Sequence, residues 1–166
     1  YQFDPVKNTK KPLYHSLKEQ INAAWPDSMS HTTWIGTDYG LIQIFEKGFR
    51  QLEHPLLSWP WAIQEDATGQ YWIANYKGGL VRYDGTSFKQ VTGYKTKDFP
   101  QLNFYYGAST DKRGHLFFPT QRGLLERSST GEFNLHTFSL KGVSGFTAEL
   151  LSRYDPVDDK ILIAAY

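Results

Sequence analysis

The sequence predicts an all-β protein: a β-propeller of four-stranded antiparallel blades, with about four blades' worth of chain. The first observation behind this prediction is the aromatic content, 11 Tyr, 11 Phe and 5 Trp among 166 residues, because aromatic residues favour strands. The second is the supply of turn-forming residues, 14 Gly and 8 Pro. The third is a motif that recurs about every 43 residues.

The recurring motif is a short apolar strand, followed in its first three copies by a turn and Gly-Leu. Its four copies are Trp34-Ile35-Gly36-Thr37, Trp72-Ile73-Ala74-Asn75, Phe117-Phe118-Pro119-Thr120 and Leu162-Ile163-Ala164-Ala165. The steps between them, 38, 45 and 45 residues, match the length of a four-stranded propeller blade. They exceed the periods of ankyrin, TPR and leucine-rich repeats.

Each repeat divides into four short strands joined by tight turns. The clearest repeat predicts strands at 61–64, 71–75, 79–83 and 88–91. Its first turn has Asp66 at the start and Gly69 where a positive φ is needed, and Asp111 and Gly114 occupy the same positions in the third repeat. The first repeat departs from this pattern, because His31 stands where the turn glycine is expected.

Alternation along the second strands predicts that the sheets stack. Trp34 and Gly36 point to one face and Ile35 to the other, so both faces are apolar. Stacking between neighbours buries both, with each Trp nested over a small residue of its own strand. Trp25, nine residues before its anchor as Ile63 is, should be core. Pro119 lacks a backbone donor, which predicts a bulge or a weakened strand.

The repeat boundaries divide the chain into five pieces of one propeller segment, residues 1–166. They are a partial blade at 1–15, blades at about 20–52, 60–91 and 104–136, and a partial blade at 146–166. Two interpretations remain open: the ends pair to close a four-bladed ring, or the segment is an excerpt of a larger, seven-bladed ring, which we prefer. Ser16-Leu17-Lys18-Glu19 has the form of a capping box and begins either a short helix or a loop.

Composition excludes several classes of function. Lys and Arg number 18 against 17 Asp and Glu, for a net charge of +1, so neither nucleic acid nor a membrane surface is an expected partner. The absence of Cys excludes a disulfide framework and a cysteine nucleophile. No apolar run is long enough to span a bilayer.

The sequence predicts no catalytic residue, no metal and no cofactor. The five histidines show no pair at metal-ligand spacing. The acidic pairs Glu65-Asp66 and Asp158-Asp159 fall in turns, where Asp caps its own backbone. Only His54, which is near Trp59 in the sequence, approaches the position at which a lyase with a propeller fold would require a histidine.

A ligand site is predicted at the end of the blades where the blade-to-blade connections meet the turns between second and third strands. Aromatic faces there could stack on a sugar ring, and charged groups beside them could bond its hydroxyls. The candidates are Tyr39, Trp59, Tyr76, Lys77, Tyr105 and Arg122.

The run from Ile63 to Asp84 resembles the two-component regulator propeller repeat, which reads approximately I-x-E-D-x-x-G-x-x-W-I-G-T-x-x-G-G-L-x-R-Y-D. This chain matches it at Glu65-Asp66, Gly69 and Trp72-Ile73. It departs at Ala74-Asn75, where Gly-Thr is usual, although Gly36-Thr37 supplies that pair one repeat earlier. The resemblance covers nearly the whole chain and weakens in the last two repeats.

This resemblance implies the periplasmic sensor region of a hybrid two-component histidine kinase in the inner membrane, in which the segment itself is not an enzyme. Its expected role is to sense a ligand, for which a carbohydrate is one candidate, or to transmit a signal. Expected partners are an oligosaccharide or other small ligand, neighbouring blades or domains of the parent chain, and, as an option, a second copy in a homodimer. The alternatives are a propeller enzyme similar to streptogramin lyase and a scaffold propeller that binds a protein.

Overall fold

A computed structural model describes residues 2–4, 9–11, 20–27, 30–94, 101–137 and 150–165 of this chain. All regular elements within these ranges are strands. They are β1 (Gln2–Asp4), β2 (Thr9–Lys11), β3 (Ile21–Asp27), β4 (Thr32–Thr37), β5 (Gly40–Phe45), β6 (Gly48–Glu53), β7 (Pro60–Glu65), β8 (Tyr71–Asn75), β9 (Gly79–Tyr83), β10 (Phe88–Gln90), β11 (Ser109–Thr110), β12 (Leu116–Thr120), β13 (Gly123–Arg127), β14 (Phe133–His136), β15 (Leu150–Asp155) and β16 (Lys160–Ala165). The candidate helix or loop at 16–19 lies outside the described residues.

The strands form three antiparallel four-stranded meanders, which confirms the predicted fold class. Blade 1 is β3-β4-β5-β6, blade 2 is β7-β8-β9-β10 and blade 3 is β11-β12-β13-β14, each in chain order. Two further sheets are the pairs β1-β2 and β15-β16. Within the described strands these two pairs are separate sheets, and the choice between a closed four-bladed ring and an excerpt of a larger one stays a prediction. No described segment is a helix that could cross a membrane.

The turns between first and second strands are held by aspartate, as the sequence predicts. In blade 2, Asp66 Oδ1 accepts hydrogen bonds from the backbone N–H of Thr68 at 2.9 Å and of Gln70 at 3.2 Å, and Gly69 has a φ of +80°. In blade 3, Asp111 accepts in the same way from the backbone N–H of residues 113 and 115. His31 adopts a φ of +52° in the glycine position of blade 1, so the looser turn keeps the backbone geometry without the glycine.

Consecutive blades stack face to face, and each interface is built around an anchor tryptophan. Trp34 of blade 1 packs onto blade 2, where it lies 5.0 Å from Tyr71 and 6.3 Å from Tyr83 between ring centroids. Trp72 of blade 2 packs onto blade 3 beside Phe133, 6.3 Å away. The buried residues of the first interface are Trp34, Leu41, Leu57, Ile63, Ile73, Val81 and Tyr83. Those of the second are Ala62, Trp72, Ala74, Leu80, Tyr94, Leu102, Phe104, Leu116, Phe118 and Leu125.

The predicted equivalence of Trp25 and Ile63 is wrong by one residue. Trp25 pairs with Trp34 across the sheet, whereas the residue that pairs with Trp72 is Gln64. Between the anchor and its cross-strand partner there is one more residue in blade 1 than in blade 2, which shifts the count. Trp25 is partly buried rather than fully core, although it packs against both clusters.

The small residue of the second strand is covered by a different ring from the one the sequence predicts. A Cβ built on Gly36 would meet the Trp25 indole at 3.1 Å and would overlap the carbonyl oxygen of Pro60. The ring over Gly36 is therefore that of the neighbouring strand, and the glycine admits the backbone of blade 2 at close range.

Pro119 interrupts the sheet on one side only. Toward β13 the register is continuous, with Pro119 opposite Leu124. Toward the first strand, only Ser109 and Thr110 form a ladder, and the Pro119 carbonyl accepts from the N–H of Tyr105 at 2.9 Å. The N–H that proline lacks would point to this same side, because the N–H and C=O of one strand residue share a direction. The predicted weakening of the strand is confirmed.

Candidate functional site

Four aromatic rings from blades 2 and 3 form a continuous stack at the end of the blades where the ligand site is predicted. Trp59 and Tyr76 have centroids 5.9 Å apart and planes inclined by 14°. Tyr76 and Trp61 lie 4.1 Å apart at 22°, and Trp61 and Tyr106 lie 4.5 Å apart at 8°. We call these four side chains the aromatic stack.

Backbone irregularities place the two tryptophans of the stack. The register of β7 against β8 shifts between Pro60 and Ala62, so Trp61 is the extra residue of a β-bulge. Bulges re-aim a side chain, and here the bulge brings Trp61 between Tyr76 and Tyr106. Trp59 has a φ of +53°, and its carbonyl accepts from the N–H of Tyr76 at 2.9 Å. Both distortions serve the same group of rings.

Asn75 anchors the connection that carries Trp59. Its Oδ1 accepts from the N–H of Ser58 at 3.1 Å, and its Nδ2 donates to the carbonyl oxygens of Leu56 at 3.2 Å and Gly79 at 3.1 Å. In blade 3 the equivalent residue, Thr120, donates only to the matching Gly123 carbonyl, at 2.9 Å. The departure from the usual Thr at this position therefore has a physical role: an amide side chain reaches a connection that a hydroxyl does not.

A lysine lies over the open end of the aromatic stack. Lys77 Nζ lies 5.3 Å from the ring centroid of Trp59 and 5.6 Å from that of Tyr76, within cation–π range. Trp59 is 40% exposed, so it offers both a ring face and a neighbouring ammonium to a bound molecule. This combination can stack on an apolar ring face and donate hydrogen bonds to oxygen acceptors.

The structure brings together four of the six predicted site residues. Trp59, Tyr76 and Lys77 are in mutual contact, and Tyr105 lies 6.1 Å from Tyr76. Tyr105 is only 7% exposed, so it supports the stack from beneath. Tyr39 is 68% exposed on the equivalent turn of blade 1 and makes no ring contact with the stack among the described residues.

The remaining predicted residue, Arg122, lies in the β12–β13 turn of blade 3, where its N–H donates to the Thr120 hydroxyl at 3.2 Å. Trp61 and Tyr106 belong to the stack but were not among the site residues predicted from the sequence. The signal that could have found Trp61 is the Trp-Pro-Trp run, because a proline at a strand start marks a bulge.

The opposite end of the blades holds a cavity of about 660 Å³ between the turns that join first and second strands. Trp25, Asp27, Glu65 and Tyr71 contribute to its walls. The Tyr71 hydroxyl donates to Asp27 Oδ2 at 2.8 Å. Burial, followed by this bond and the charge of Asp27, raises the pKa of Tyr71 to about 12, so the phenol stays protonated as a donor at neutral pH.

Neighbouring carboxyls in this cavity are shifted in opposite directions. Burial and the negative charges of Asp27 and Asp66 raise the pKa of Glu65. Burial would also raise the pKa of Asp66, but hydrogen bonds from Thr68, Trp72 and Gln70 outweigh it and lower that pKa. Asp66 is thus satisfied as an anion by its own turn, and Glu65 is not.

Blade 3 also contains a histidine pair that the spacing of histidines in the sequence did not predict. Glu126 bridges two rings, with Oε1 at 2.9 Å from His115 Nδ1 and Oε2 at 2.6 Å from His136 Nε2. The pair is separated by 21 residues and meets only because β12, β13 and β14 are adjacent. No group of three or more His, Asp or Glu residues in the described part of the chain is arranged to hold a metal ion.

His54, the candidate for a lyase-like role, has a local structural use. Its Nδ1 accepts from the N–H of Leu56 at 3.2 Å, and its ring stacks on Phe88 at 4.9 Å. These contacts fix the connection between blades 1 and 2.

Comparisons with known proteins agree on the fold. No family model and no curated protein matches the sequence. Among solved structures, the chain is similar to an extracellular domain assigned to a hybrid two component system, BT3049, of B. thetaiotaomicron, with a TM-score of 0.61 and 13% identity. It is also similar to virginiamycin B lyase from Staphylococcus aureus, with a TM-score of 0.52 and 13% identity.

The chain spans only part of each of these structures. The alignment covers 95% of this chain and 24% of the BT3049 domain, and 86% of this chain and 58% of the lyase. At this identity the similarity establishes the propeller-type fold and no activity.

Proposed function

We propose that this chain is a ligand-sensing propeller segment of the periplasmic region of a two-component sensor histidine kinase, that it is not itself an enzyme, and that its ligand is a carbohydrate. The observation that carries the proposal is the aromatic stack with Lys77 at its open end. It offers a partly exposed indole face beside a cation, on connections that a rigid set of sheets positions.

The chemistry of the stack fits an oligosaccharide. The axial C–H face of a sugar ring is apolar and packs on an aromatic face, while its hydroxyls require polar partners at the rim. Trp59 supplies the face and Lys77 a donor at the rim. The rings beneath Trp59 are already packed against one another, so binding would order few further side chains.

Two independent observations support the cellular setting. The run from Ile63 to Asp84 resembles the repeat of two-component regulator propellers, and the fold is similar to the extracellular domain assigned to such a system. Both support an extracytoplasmic setting for a chain of this kind. In this setting, we propose that it contacts neighbouring blades or domains of its parent chain and that a homodimer forms part of the signalling assembly.

The binding test is calorimetry of the chain against a panel of neutral, acidic and basic oligosaccharides. A ligand from this panel should bind, and Trp59→Ala or Lys77→Ala should weaken it by about tenfold. Phe49→Ala is the matched control, because Phe49 is a large aromatic residue that is 46% exposed on blade 1. Silence across the panel, or equal loss in the control variant, contradicts the proposal. A protein partner captured by the same rings would support the scaffold alternative.

The signalling test uses the intact parent receptor. The oligosaccharide that binds the chain should induce autophosphorylation or a transcriptional response, and Trp59→Ala should raise the concentration needed. A receptor that responds normally with the stack disrupted would exclude this site as the sensor.

The propeller lyase is the second candidate, because the fold is also similar to virginiamycin B lyase over 86% of the chain. Its test is turnover of virginiamycin B with added divalent cations, in parallel with His54→Ala. Because His54 supports a connection through Leu56 and Phe88, the fold of that variant must be checked by circular dichroism. Metal-dependent product formation would replace the sensor proposal with the enzyme.

A further inference from the structure

The cavity at the turn end of the blades contains three groups whose hydrogen-bonding needs the described residues leave unmet. Trp34 is 1% exposed, and its Nε1 donor has no partner among the described residues. Thr110 lines the same cavity, and its buried Oγ1 also has no partner there. Native structures leave few buried polar atoms unpaired, so two in the wall of one cavity need an explanation.

The third group is the Glu65 carboxylate. It makes no hydrogen bond or ion pair with the described residues, although Asp27 and Asp66 raise its pKa. The other carboxylates of the cavity are occupied. Asp66 accepts from its turn and from the Trp72 indole, Asp27 accepts from Tyr71, and Asp111 accepts from its own turn and from the Arg113 side chain. Glu65 therefore requires donors, and a positive charge would relieve the repulsion around it.

The only lysine among the residues that line the cavity does not supply this charge. Lys112 Nζ lies 2.7 Å from Asp159 Oδ2, on the β15–β16 turn. Among the described residues, Glu65 is thus left without a positively charged partner, on a chain whose overall formal charge is +1. A cationic group is the complement that the cavity favours.

The remaining wall is aromatic and the space is adequate. Trp25 and Tyr71 contribute ring surface, and a volume of about 660 Å³ falls within the range of about 300–1,000 Å³ typical of small-molecule sites. A simple metal ion would satisfy Glu65 but neither the Trp34 donor, which needs an acceptor, nor the aromatic surface. A neutral sugar would satisfy the indole and the hydroxyl but not the repulsion around Glu65.

We propose that this cavity is a second binding site, separate from the aromatic stack, and that it takes an amino-bearing polyol such as an amino sugar. The ligand ammonium lies at Glu65, and the apolar ring face packs against Trp25 or Tyr71. Trp34 Nε1 and Thr110 Oγ1 are buried in the structure, so their side chains shift on binding until one ring hydroxyl oxygen accepts from the indole and another forms a hydrogen bond with the threonine hydroxyl. One molecule then meets all three unmet needs. The proposal does not depend on what the aromatic stack binds.

The test is a titration of the ¹⁵N-labelled chain with glucosamine, followed through the indole Nε1 resonances, with glucose as the uncharged probe. The Trp34 resonance, assigned with Trp34→Phe, should shift on saturation while that of Trp59 stays in place. Glucose should bind at least about tenfold more weakly. Shifts confined to Trp59 would locate the ligand at the aromatic stack and overturn the second site.

Two variants and one control variant test the separate contributions of Glu65 and Thr110 to binding. Glu65→Gln removes the charge at constant shape and should weaken glucosamine by about tenfold, with a smaller effect on glucose. Thr110→Val should weaken both probes alike. Glu132→Gln is the control, because it makes the same change at an exposed turn of blade 3. Three results would each overturn the proposal: equal affinity for the two probes, an unaltered affinity for glucosamine in Glu65→Gln, and no shift of the Trp34 resonance. The last is the result expected if ordered water alone fills the cavity.

Discussion

The two blade interfaces use the same anchor residue in different ways. At the interface of blades 2 and 3, the Trp72 indole donates to Asp66 Oδ2 at 2.8 Å, and Arg127 lies 4.5 Å over its ring. At the interface of blades 1 and 2, Trp34 is equally buried, but its Nε1 has no partner among the described residues. The same residue type is hydrogen-bonded in one interface and, among the described residues, has an unpaired donor in the other.

The difference concerns the aspartate near each indole. In blade 2, Asp66 lies in the turn before the strand of Trp72, and its carboxylate accepts from that indole. In blade 1, the aspartate at the end of the first strand, Asp27, accepts from the Tyr71 hydroxyl. A buried donor without an acceptor is costly, so this difference bears on the stability of the two interfaces.

The largest expected effect on stability follows from the feature that both interfaces share, a buried tryptophan ring. Trp34→Ala and Trp72→Ala should each lower the free energy of unfolding by about 3–5 kcal/mol, since both remove a buried ring from a close-packed core. Urea denaturation followed by circular dichroism measures this. Phe49→Ala, at an exposed ring, should change it by no more than about 0.5 kcal/mol. If one tryptophan variant matches that control, the two interfaces are not equivalent in packing.

The second prediction addresses the close approach of blades 1 and 2. Gly36→Ala places a Cβ against the carbonyl of Pro60 and the Trp25 ring, and overpacking of this kind costs about 1–3 kcal/mol. Gly48→Ala is the matched control, because nothing lies within 4 Å of its Cβ position. Equal stability of the two variants in thermal denaturation would show that the blades are not in contact at Gly36.

The third prediction separates the interfaces. Trp72→Phe loses the bond to Asp66 and leaves that carboxylate oxygen without its donor, whereas Trp34→Phe loses no bond within the described protein. The first variant should therefore be less stable than the second by about 1–2 kcal/mol. Chemical denaturation of both variants under the same conditions gives the difference. A difference near zero would mean that the Trp72–Asp66 bond contributes little.

The smallest effects come from the neighbouring carboxyls of blade 2. The folded-state pKa of Asp66 is lowered, so its stabilising contribution is present above the unfolded pKa and is lost as pH falls through the folded value. The pKa of Glu65 is raised, so its ionisation opposes folding at neutral pH, and this penalty disappears on acidification.

Substitution should show the opposite signs directly. At neutral pH, Asp66→Asn should lower stability by about 1 kcal/mol, and Glu65→Gln should raise it by about 0.5 kcal/mol or less. At a pH below both the folded-state pKa of Asp66 and the unfolded-state pKa of Glu65, both variants should approach the parent chain. Measuring unfolding at neutral and acidic pH tests this, and a loss of stability in Glu65→Gln would contradict the repulsion assigned to it.

Local pattern was sufficient for much of the fold. The strands of blade 2, the aspartate turns and the stacking of apolar faces follow from alternation and turn residues, which act within a few positions of the chain. The pattern failed at Trp25, because an equal distance from the anchor does not give an equal register when turn lengths differ. It anticipated the weakening at Pro119 but could not show that only the β11 side is affected.

The candidate sites were less accessible to sequence reasoning. Trp59, Tyr76, Lys77 and Tyr105 could be placed at one end of the blades from topology alone. The ring order, with Trp61 between Tyr76 and Tyr106, depends on a bulge whose consequence is three-dimensional. The Glu126 bridge between His115 and His136 depends on strand adjacency in the same way.

The sequence by itself determined the blade: the large and small alternation, the aspartate and glycine turns, and the order of four strands, all of which are short-range steric and hydrogen-bonding requirements. The tertiary structure alone decided which polar groups remain unpaired when the blades meet. That outcome depends on which residues meet across two sheets, since the Tyr71 hydroxyl donates to Asp27 while the Trp34 indole has no partner among the described residues. Such contacts lie beyond the range of a local sequence pattern.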